Sequence, residues 1–592
     1  MSEYEAPVRE MLFVIRDLAN LERLTALPGY GEATADTAEA ILEQAAELAG
    51  GVISPTNSVG DRQGTRIENG GVVVPDEFKR VYQEYQSGGW ASVTAPEEYG
   101  GQGLPFLFGM AVEEMWCSAN LAWSLCPLLT EGASRAIEAH ASEALRQAYL
   151  PKMVAGEWTG TMNLTEPQAG TDLAALRTQA VPEGDHFLIS GQKIFITWGD
   201  HDMTENVVHL VLARLPDAPA GVRGISLFLV PKFLLKEDGT PGERNRVRAI
   251  SVEHKLGIHG SPTCVMAFDG AIGYLVGEPN NGLAAMFTMM NHARLGVGLE
   301  GVALSERAYQ QARAYAKERI QGQVAGESGR APIIRHADVR RMLLTMKSTV
   351  EAMRSIAYVT VASLDLARRH PDEAVRAEHQ ARVDLLTPVV KGWCTEMGQV
   401  LTSIAVQVHG GMGYIEETGV AQYFRDARIT TIYEGTTGIQ ANDLVGRKIL
   451  RDGGNALRSL VKDLRATEAE LAGLPELAAV ATGLSAGREA IEAAATWLAA
   501  NHAAHPATPG AVSYHVLMLL GTVTGGWQLA RAALIARARL ADGAAGADQS
   551  FYSAKLVTAR FYAEQSMPLA AAHLRAIQAG PEALLALSDD QF

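Results

Sequence analysis

Cysteine is scarce. The chain has four in 592 residues, Cys117, Cys126, Cys264 and Cys394, and they are widely scattered. No Cys-x-x-Cys pair occurs, so neither a zinc site nor a disulfide framework is indicated, and the usage fits a reducing compartment. A basic surplus is also missing. Lys and Arg number 51 against 67 Asp and Glu, a formal net charge of −16 that favours solubility and gives no general reason to bind nucleic acid. No uninterrupted apolar run reaches the ~18 residues needed to span a bilayer. Residues 1–9 carry acids and a proline and lack the basic-then-apolar pattern of a leader peptide. The expected location is the cytoplasm. Internal repeats and low-complexity tracts are absent. What remains is an ordinary folded composition, 47% hydrophobic and 20% charged, long enough for about three or four domains.

The texture changes three times along the chain. Residues 1–158 read as an N-terminal helical domain, with Leu12, Ile15, Leu18 and Leu21 on one face and Ala38, Ile41, Leu42, Ala45 and Leu48 on another. Residues 159–280 hold short β-type segments separated by turn residues. Among them are His186-Phe187-Leu188-Ile189 and Lys193-Ile194-Phe195-Ile196-Thr197, joined through Ser190-Gly191. This spacing predicts a middle domain built on an antiparallel sheet or barrel. Helices return over 281–452, with breaks near 322–332, at His370-Pro371 and at 410–413. Residues 453–592 are rich in Ala and Leu and read as an additional helical domain. The fold class is mostly α with a central β domain.

Four segments carry chemistry. The loop Leu164-Thr165-Glu166-Pro167-Gln168-Ala169-Gly170-Thr171-Asp172 can lend backbone N–H groups to a heterocycle or a phosphate. Alone it is equally an ordinary capped turn with Glu166 solvated. Phe195 and Thr197, two apart in a strand, would share a face and suit a flat ring, or simply line a core. Gln407-Val408-His409-Gly410-Gly411-Met412-Gly413 permits close backbone approach to a ligand, or merely stops a helix. His409 has no second ligand at coordination spacing, so no metal is expected there. The run Arg425-Asp426-Ala427-Arg428-Ile429-Thr430-Thr431-Ile432-Tyr433-Glu434-Gly435-Thr436-Thr437 places one carboxylate, Glu434, where the chain turns. Gly435 permits the turn, Thr436 and Thr437 are good helix N-caps, and Ile439, Leu444, Val445 and Ile449 continue as helix. An acid at such a break is a candidate base, or a surface decoration.

Taken together and in this order, the four segments resemble the acyl-CoA dehydrogenase family of flavoproteins. The resemblance spans roughly residues 40–450. It implies an α domain, a β domain and a four-helix bundle, with FAD as cofactor. Leu164, Thr165 and Thr171 match the loop around the isoalloxazine. Phe195 and Thr197 match the strand facing the flavin ring, where many members carry Trp in place of Phe195. Arg319 matches an arginine that reaches FAD of the neighbouring subunit, although the usual continuation is replaced here by Ile320-Gln321-Gly322. Gln407, Gly410 and Gly411 match the segment along the adenosine half of the cofactor. Thr436 matches a contact at a helix start. The resemblance makes Glu434 the base that takes the α proton of an acyl-CoA thioester. Some members carry that base just before an arginine on another helix. Here the position reads His292-Ala293-Arg294, so Ala293 cannot serve, and Arg294 is left as an electrostatic neighbour of Glu434.

The chain ends resemble a larger bacterial subgroup. Tyr4-x-Ala6-Pro7-x-Arg9-Glu10-Met11-x-Phe13 and the long helical C-terminus are its marks. That subgroup includes 3-methylmercaptopropionyl-CoA dehydrogenases and fatty acyl-CoA enzymes with an added C-terminal domain. The resemblance implies electron-transfer flavoprotein as acceptor and a homodimer, the appendix taking the place of a second dimer. An acyl-CoA oxidase, which passes electrons to oxygen, shares this core and stays open. A flavin-containing DNA-associated protein of the alkylation-response branch relies on a basic C-terminal region. Residues 455–592 hold ten Lys and Arg against twelve Asp and Glu, which argues against it.

Overall fold

Apolar residues draw the middle of the chain into a sheet that is buried on both faces along residues 206–213 and 225–231 and open on one face elsewhere. The computed structural model describes residues 4–326 and 328–592. Residues 1–3, the start of the segment read above for a leader, lie outside the described residues, as does position 327. Two compact units result, one of residues 43–296 with 4–6, the other of residues 7–42 and 297–592.

The first unit contains seven strands of one sheet: β1 (Trp158–Asn163), β2 (Gln179–Glu183), β3 (His186–Thr197), β4 (Asn206–Arg214), β5 (Ile225–Pro231), β6 (Val247–Val252) and β7 (Thr263–Val276). Their order is β6-β7-β3-β2-β4-β1, and β5 pairs with both β7 and β4, so five strands close a ring. The closed ring meets the barrel alternative, whereas an all-antiparallel sheet needs correction. β1 runs parallel to β4 over its whole length, and β2 meets β4 in parallel at Gln179 and Arg214. Between β1 and β4 the chain inserts the 164–178 segment and the β2–β3 hairpin, a crossover long enough to return in the same direction.

Period two then sorts β4 between two cores. Val208, Leu210 and Leu212 join a cluster with Ile137, Tyr149, Leu150 and Met153. Val211 and Ala213 join Phe228, Val230, Met266 and Phe268. The helical partners are α1 (Phe106–Ala119), α2 (Leu121–His140) and α3 (Glu143–Val154). Asn120 separates the first two: its side-chain oxygen accepts from the Trp123 amide at 3.1 Å and caps α2. A small hairpin, Arg66–Glu68 with Gly71–Val73, interrupts the stretch expected to be helical throughout. Its turn is Asn69-Gly70, both at positive φ, a hairpin signal that the surrounding helical periodicity hides.

The second unit is helical. α4 (Gly282–Glu318) enters it at residue 297, followed by α5 (Ala337–Arg369), α6 (Glu373–His409), α7 (Val420–Ala427) and α8 (Thr437–Asp443). The appendix adds α9 (Asn455–Leu471), α10 (Ala478–Asn501), α11 (Thr508–Ala541), α12 (Gly546–Gln565) and α13 (Leu569–Gln578). The breaks fall where Gly and Pro predicted them. α4 and α6 touch backbone to backbone: a Cβ on Gly298 would sit 2.8 Å from the Val390 carbonyl oxygen, and one on Gly301 2.5 Å from that of Cys394. The N-terminal motif packs on the appendix. Phe13 meets Phe551 edge-on at 5.6 Å, Arg9 pairs with Asp548 at 2.6 Å, and buried Lys555 bridges Glu10 and Glu351. Among the described residues no helix is long and apolar enough to cross a membrane.

Candidate active site

In the second unit the run around Glu434 is held from behind by α6. The fully buried Lys391 ammonium donates to the Thr430 carbonyl at 2.8 Å, and the Gln399 amide donates to that of Ala427. The Thr437 hydroxyl donates to Glu396 at 2.6 Å. Between these anchors the chain turns through Glu434 at φ 55° and Gly435 at φ 89°. A left-handed glutamate costs about 1–3 kcal/mol and persists only where its surroundings impose it. Gln440 is part of that imposition: its amide nitrogen donates to the Glu434 carbonyl at 3.2 Å, and a Cβ on Gly435 would strike it at 2.6 Å. Thr436 caps α8 as expected, accepting from the Ile439 amide. Glu434 is half-buried and Thr436 exposed.

Behind the turn lies a second carboxyl that the sequence reading passed over. Glu300 on α4 has no exposed surface and accepts a hydrogen bond from the Tyr433 hydroxyl. Burial pushes its pKa up to about 8; Tyr433 and Lys391 pull against that, and Glu434 adds to it.

The remaining sites predicted in this unit lie on helix ends. Gln407, Gly410 and Gly411 are exposed at the close of α6. A Cβ on Gly410 or Gly411 would meet nothing, so this edge is open to a ligand's approach. His409 stacks on Tyr315 at 4.5 Å, which explains its burial. Arg319 follows α4, is exposed, and lies 3.5 Å from Gln321 Oε1.

In the first unit the 164–172 loop is rigid for a reason its composition conceals. Glu166 is 3% exposed rather than solvated, and it accepts from the Arg177 amide, the Thr178 amide and hydroxyl, and Lys193 Nζ at 2.9 Å. Lys193 is fully buried and also donates to the Leu164 carbonyl at 2.9 Å. Burial opposes both charges. The partners nevertheless hold Glu166 down at about 2, while burial lowers Lys193 to about 8. Both stay ionised at neutral pH.

The Ile194 amide donates to the Thr165 carbonyl, so the loop and β3 are tied directly. Leu164 and Thr165 are half-buried there, whereas Thr171 is exposed. β3 is one continuous strand through Ser190-Gly191 rather than two segments. It carries a bulge between Lys193 and Ile196, and Phe195 sits at φ 59°. The simple alternation that gave Phe195 and Thr197 a shared face is therefore interrupted. The bulge leaves the Phe195 ring 60% exposed, a flat apolar face beside the half-buried Thr197 hydroxyl. An open aromatic ring beside a fixed loop suits the flat ring of a flavin.

Helices α1–α3 and residues 85–95 line a pocket. Trp90 and Trp116 wall it, 5.3 Å apart and nearly perpendicular. Its polar side holds Glu131, which binds Arg135 and the Thr94 hydroxyl. Glu113, Glu131 and His292 bring their ligand atoms within 4.8 Å of one another. None of these was singled out from sequence; the one local signal is the Glu131/Arg135 spacing on α2. Arg294 is buried, 3.4 Å from Asn291 Oδ1, and Ala293 before it is buried too.

Known proteins match this chain over most of its length. Models of the acyl-CoA dehydrogenase N-terminal, middle and C-terminal domains match residues 35–157, 161–271 and 280–449. A model described as acetyl-CoA dehydrogenase C-terminal like matches residues 460–588. The 3-methylmercaptopropionyl-CoA dehydrogenase of Ruegeria pomeroyi is 49% identical over 98% of this chain and 99% of its own length. The broad-specificity linear acyl-CoA dehydrogenase FadE5 of Mycobacterium tuberculosis is 35% identical, with both chains covered completely. An acyl-CoA dehydrogenase of Bacillus anthracis solved with FAD superposes with a TM-score of 0.73 at 22% identity, covering 92% of this chain and 88% of its own.

Proposed function

Since the chain belongs to the acyl-CoA dehydrogenase family of FAD enzymes, we propose that Glu434 is the base that removes the α proton of its acyl-CoA. The observation carrying this is the left-handed Glu434 itself, a strained acid imposed by Gln440 and by the α6 side chains behind the turn. The α C–H of a thioester is a weak acid, so the developing charge on its oxygen needs a donor, a role the family resemblance gives to the backbone N–H of the base and a flavin ribityl hydroxyl. Bound FAD supplies the acceptor for the β hydrogen, as hydride. Leu164, Thr165, Thr171, Phe195 and Thr197 would hold the isoalloxazine. Arg319, Gln407, Gly410, Gly411 and Thr436 would hold the nucleotide half, and Arg294 would serve as charge neighbour to the base. The assembly would be a homodimer, located in the cytoplasm.

The substrate reading follows the relative of highest identity described above and the pocket of α1–α3. Two tryptophans and an ionised Glu131–Arg135 pair suit a short acyl group with one polarisable atom better than a long alkyl chain. Each methylene set against charges forgoes much of its ~0.8 kcal/mol of burial. Flavin bleaching by a panel of acyl-CoAs without oxygen tests this. The thioether 3-methylmercaptopropionyl-CoA and short linear thioesters should bleach at least ~10-fold faster than long ones, the low end of what pocket fit discriminates. A flat response across chain length would sink the short-acyl reading. The reduced enzyme should reoxidise on electron-transfer flavoprotein; stoichiometric peroxide instead would make it an oxidase.

A further inference from the structure

Glu300 is a buried acid that the reaction above does not use. It lies on α4 with no solvent exposure. One carboxyl oxygen accepts from the Tyr433 hydroxyl; the other has no hydrogen-bond partner. The groups facing it are Tyr433 and Glu434 from the turn and Lys391 from α6, whose ammonium donates to the Thr430 carbonyl. An unpartnered, fully buried oxygen is costly as half of a carboxylate and much less so as part of a neutral acid. Tyr433 immediately precedes the strained Glu434. Its hydroxyl reaches back to Glu300 and fixes the chain at the point where the turn begins.

We infer that Glu300 is a positioning residue: held as the neutral carboxylic acid, it anchors Tyr433 and leaves Glu434 the anion of the pair at working pH. This rests on Glu434 being the base. The Glu434 charge adds to the rise at Glu300, so the two carboxyls resist double ionisation and their titration belongs to the pair. The first proton lost leaves Glu434 charged. The second leaves Glu300 at about pH 8, where burial has placed it. Below that pH the turn holds one negative charge. Above it the new charge raises the proton affinity of Glu434, which makes Glu434 the stronger base. The rate of flavin bleaching should therefore level off once Glu434 is ionised, then rise again by a few-fold around pH 8.

The test combines rate and spectrum on the FAD-loaded enzyme. The infrared carbonyl band of a protonated carboxyl should titrate near pH 8 in the wild type, lower in Glu434→Gln, where the charge that adds to the rise is gone, and be missing from Glu300→Gln. Tyr433→Phe removes a hydrogen bond that favours the Glu300 anion, so its midpoint should move up. The second rise in the bleaching rate should vanish in Glu300→Gln. A band that persists in Glu300→Gln, a wild type with no carboxyl titrating above pH 6, or a second rise surviving in Glu300→Gln would each overturn the inference. The Glu434→Gln spectrum does not depend on turnover. If that variant still bleached at the wild-type rate, the base assignment would fail while the Glu300 titration stood or fell by itself.

Discussion

Replacing Glu434 by Gln should slow substrate-driven bleaching of the flavin by about 10²–10⁴-fold, the usual worth of a positioned general base. Gln keeps the size and a carbonyl oxygen but cannot accept the proton. FAD content should stay near one per chain, because none of the proposed isoalloxazine-holding residues changes. Gln440 would still hold the carbonyl of residue 434, so the turn should survive. Stopped-flow absorbance under anaerobic conditions measures the rate, and the protein-to-flavin absorbance ratio measures loading. Bleaching within a few-fold of wild type would remove Glu434 from the chemistry. With Ala at position 293, no second acid stands in the alternative place to rescue it.

The second large effect lies in the loop proposed to hold the flavin. Lys193→Met should destabilise the protein by about 3–5 kcal/mol, the cost of stripping one partner from a buried ion pair. Met matches the length of the lysine stem, so the loss is chiefly of charge. It strands Glu166, which is 3% exposed, and cuts the bond from Lys193 to the Leu164 carbonyl. The 164–172 loop should loosen and FAD should be retained less well. The double variant Glu166→Gln/Lys193→Met should recover part of the stability, since it removes the stranded charge. The pH response has a definite sign. Glu166 is held at about 2, below its ordinary 4.5, so its contribution is present above pH 4.5 and fades as pH falls toward 2. Lys193→Met should lose that acid-side dependence. Thermal melts across pH, with flavin release followed by fluorescence, check both. An unchanged melting temperature would show that the pair does not anchor the loop.

These two residues mark the limit of what the sequence could show. The turn at Glu434 was legible because its signals are local: the glycine after it, the threonine caps, the helix that follows. The bundle breaks at 322–332, 370–371 and 410–413 were legible for the same reason, through Gly and Pro. Glu166 was read as solvated because nothing in its own loop reveals that Lys193, on a strand 27 residues later, folds over it. Glu300 sits 133 positions from Tyr433, on a helix whose apolar face gives no sign that an acid is enclosed. The bulge at Phe195 escaped because register belongs to a pair of strands. The parallel pairing of β1 with β4 escaped likewise, being decided by where the chain goes between them.

The glycines where α4 meets α6 have a consequence for anyone trying to harden this enzyme. Exchanging a helical glycine for alanine is among the safest stabilising edits, worth roughly 0.5–1 kcal/mol where the space is open. At Gly298 and Gly301 the same edit would drive a methyl group into the carbonyls of Val390 and Cys394. Neither helix can yield alone, since α4 carries Glu300 and α6 carries Lys391. Mutational drift is closed off along this seam for a purely steric reason. Gly446, exposed and with nothing near its missing side chain, remains open to it. A library built on helix propensity alone would spend its losses at the first two positions and find its gain at the third.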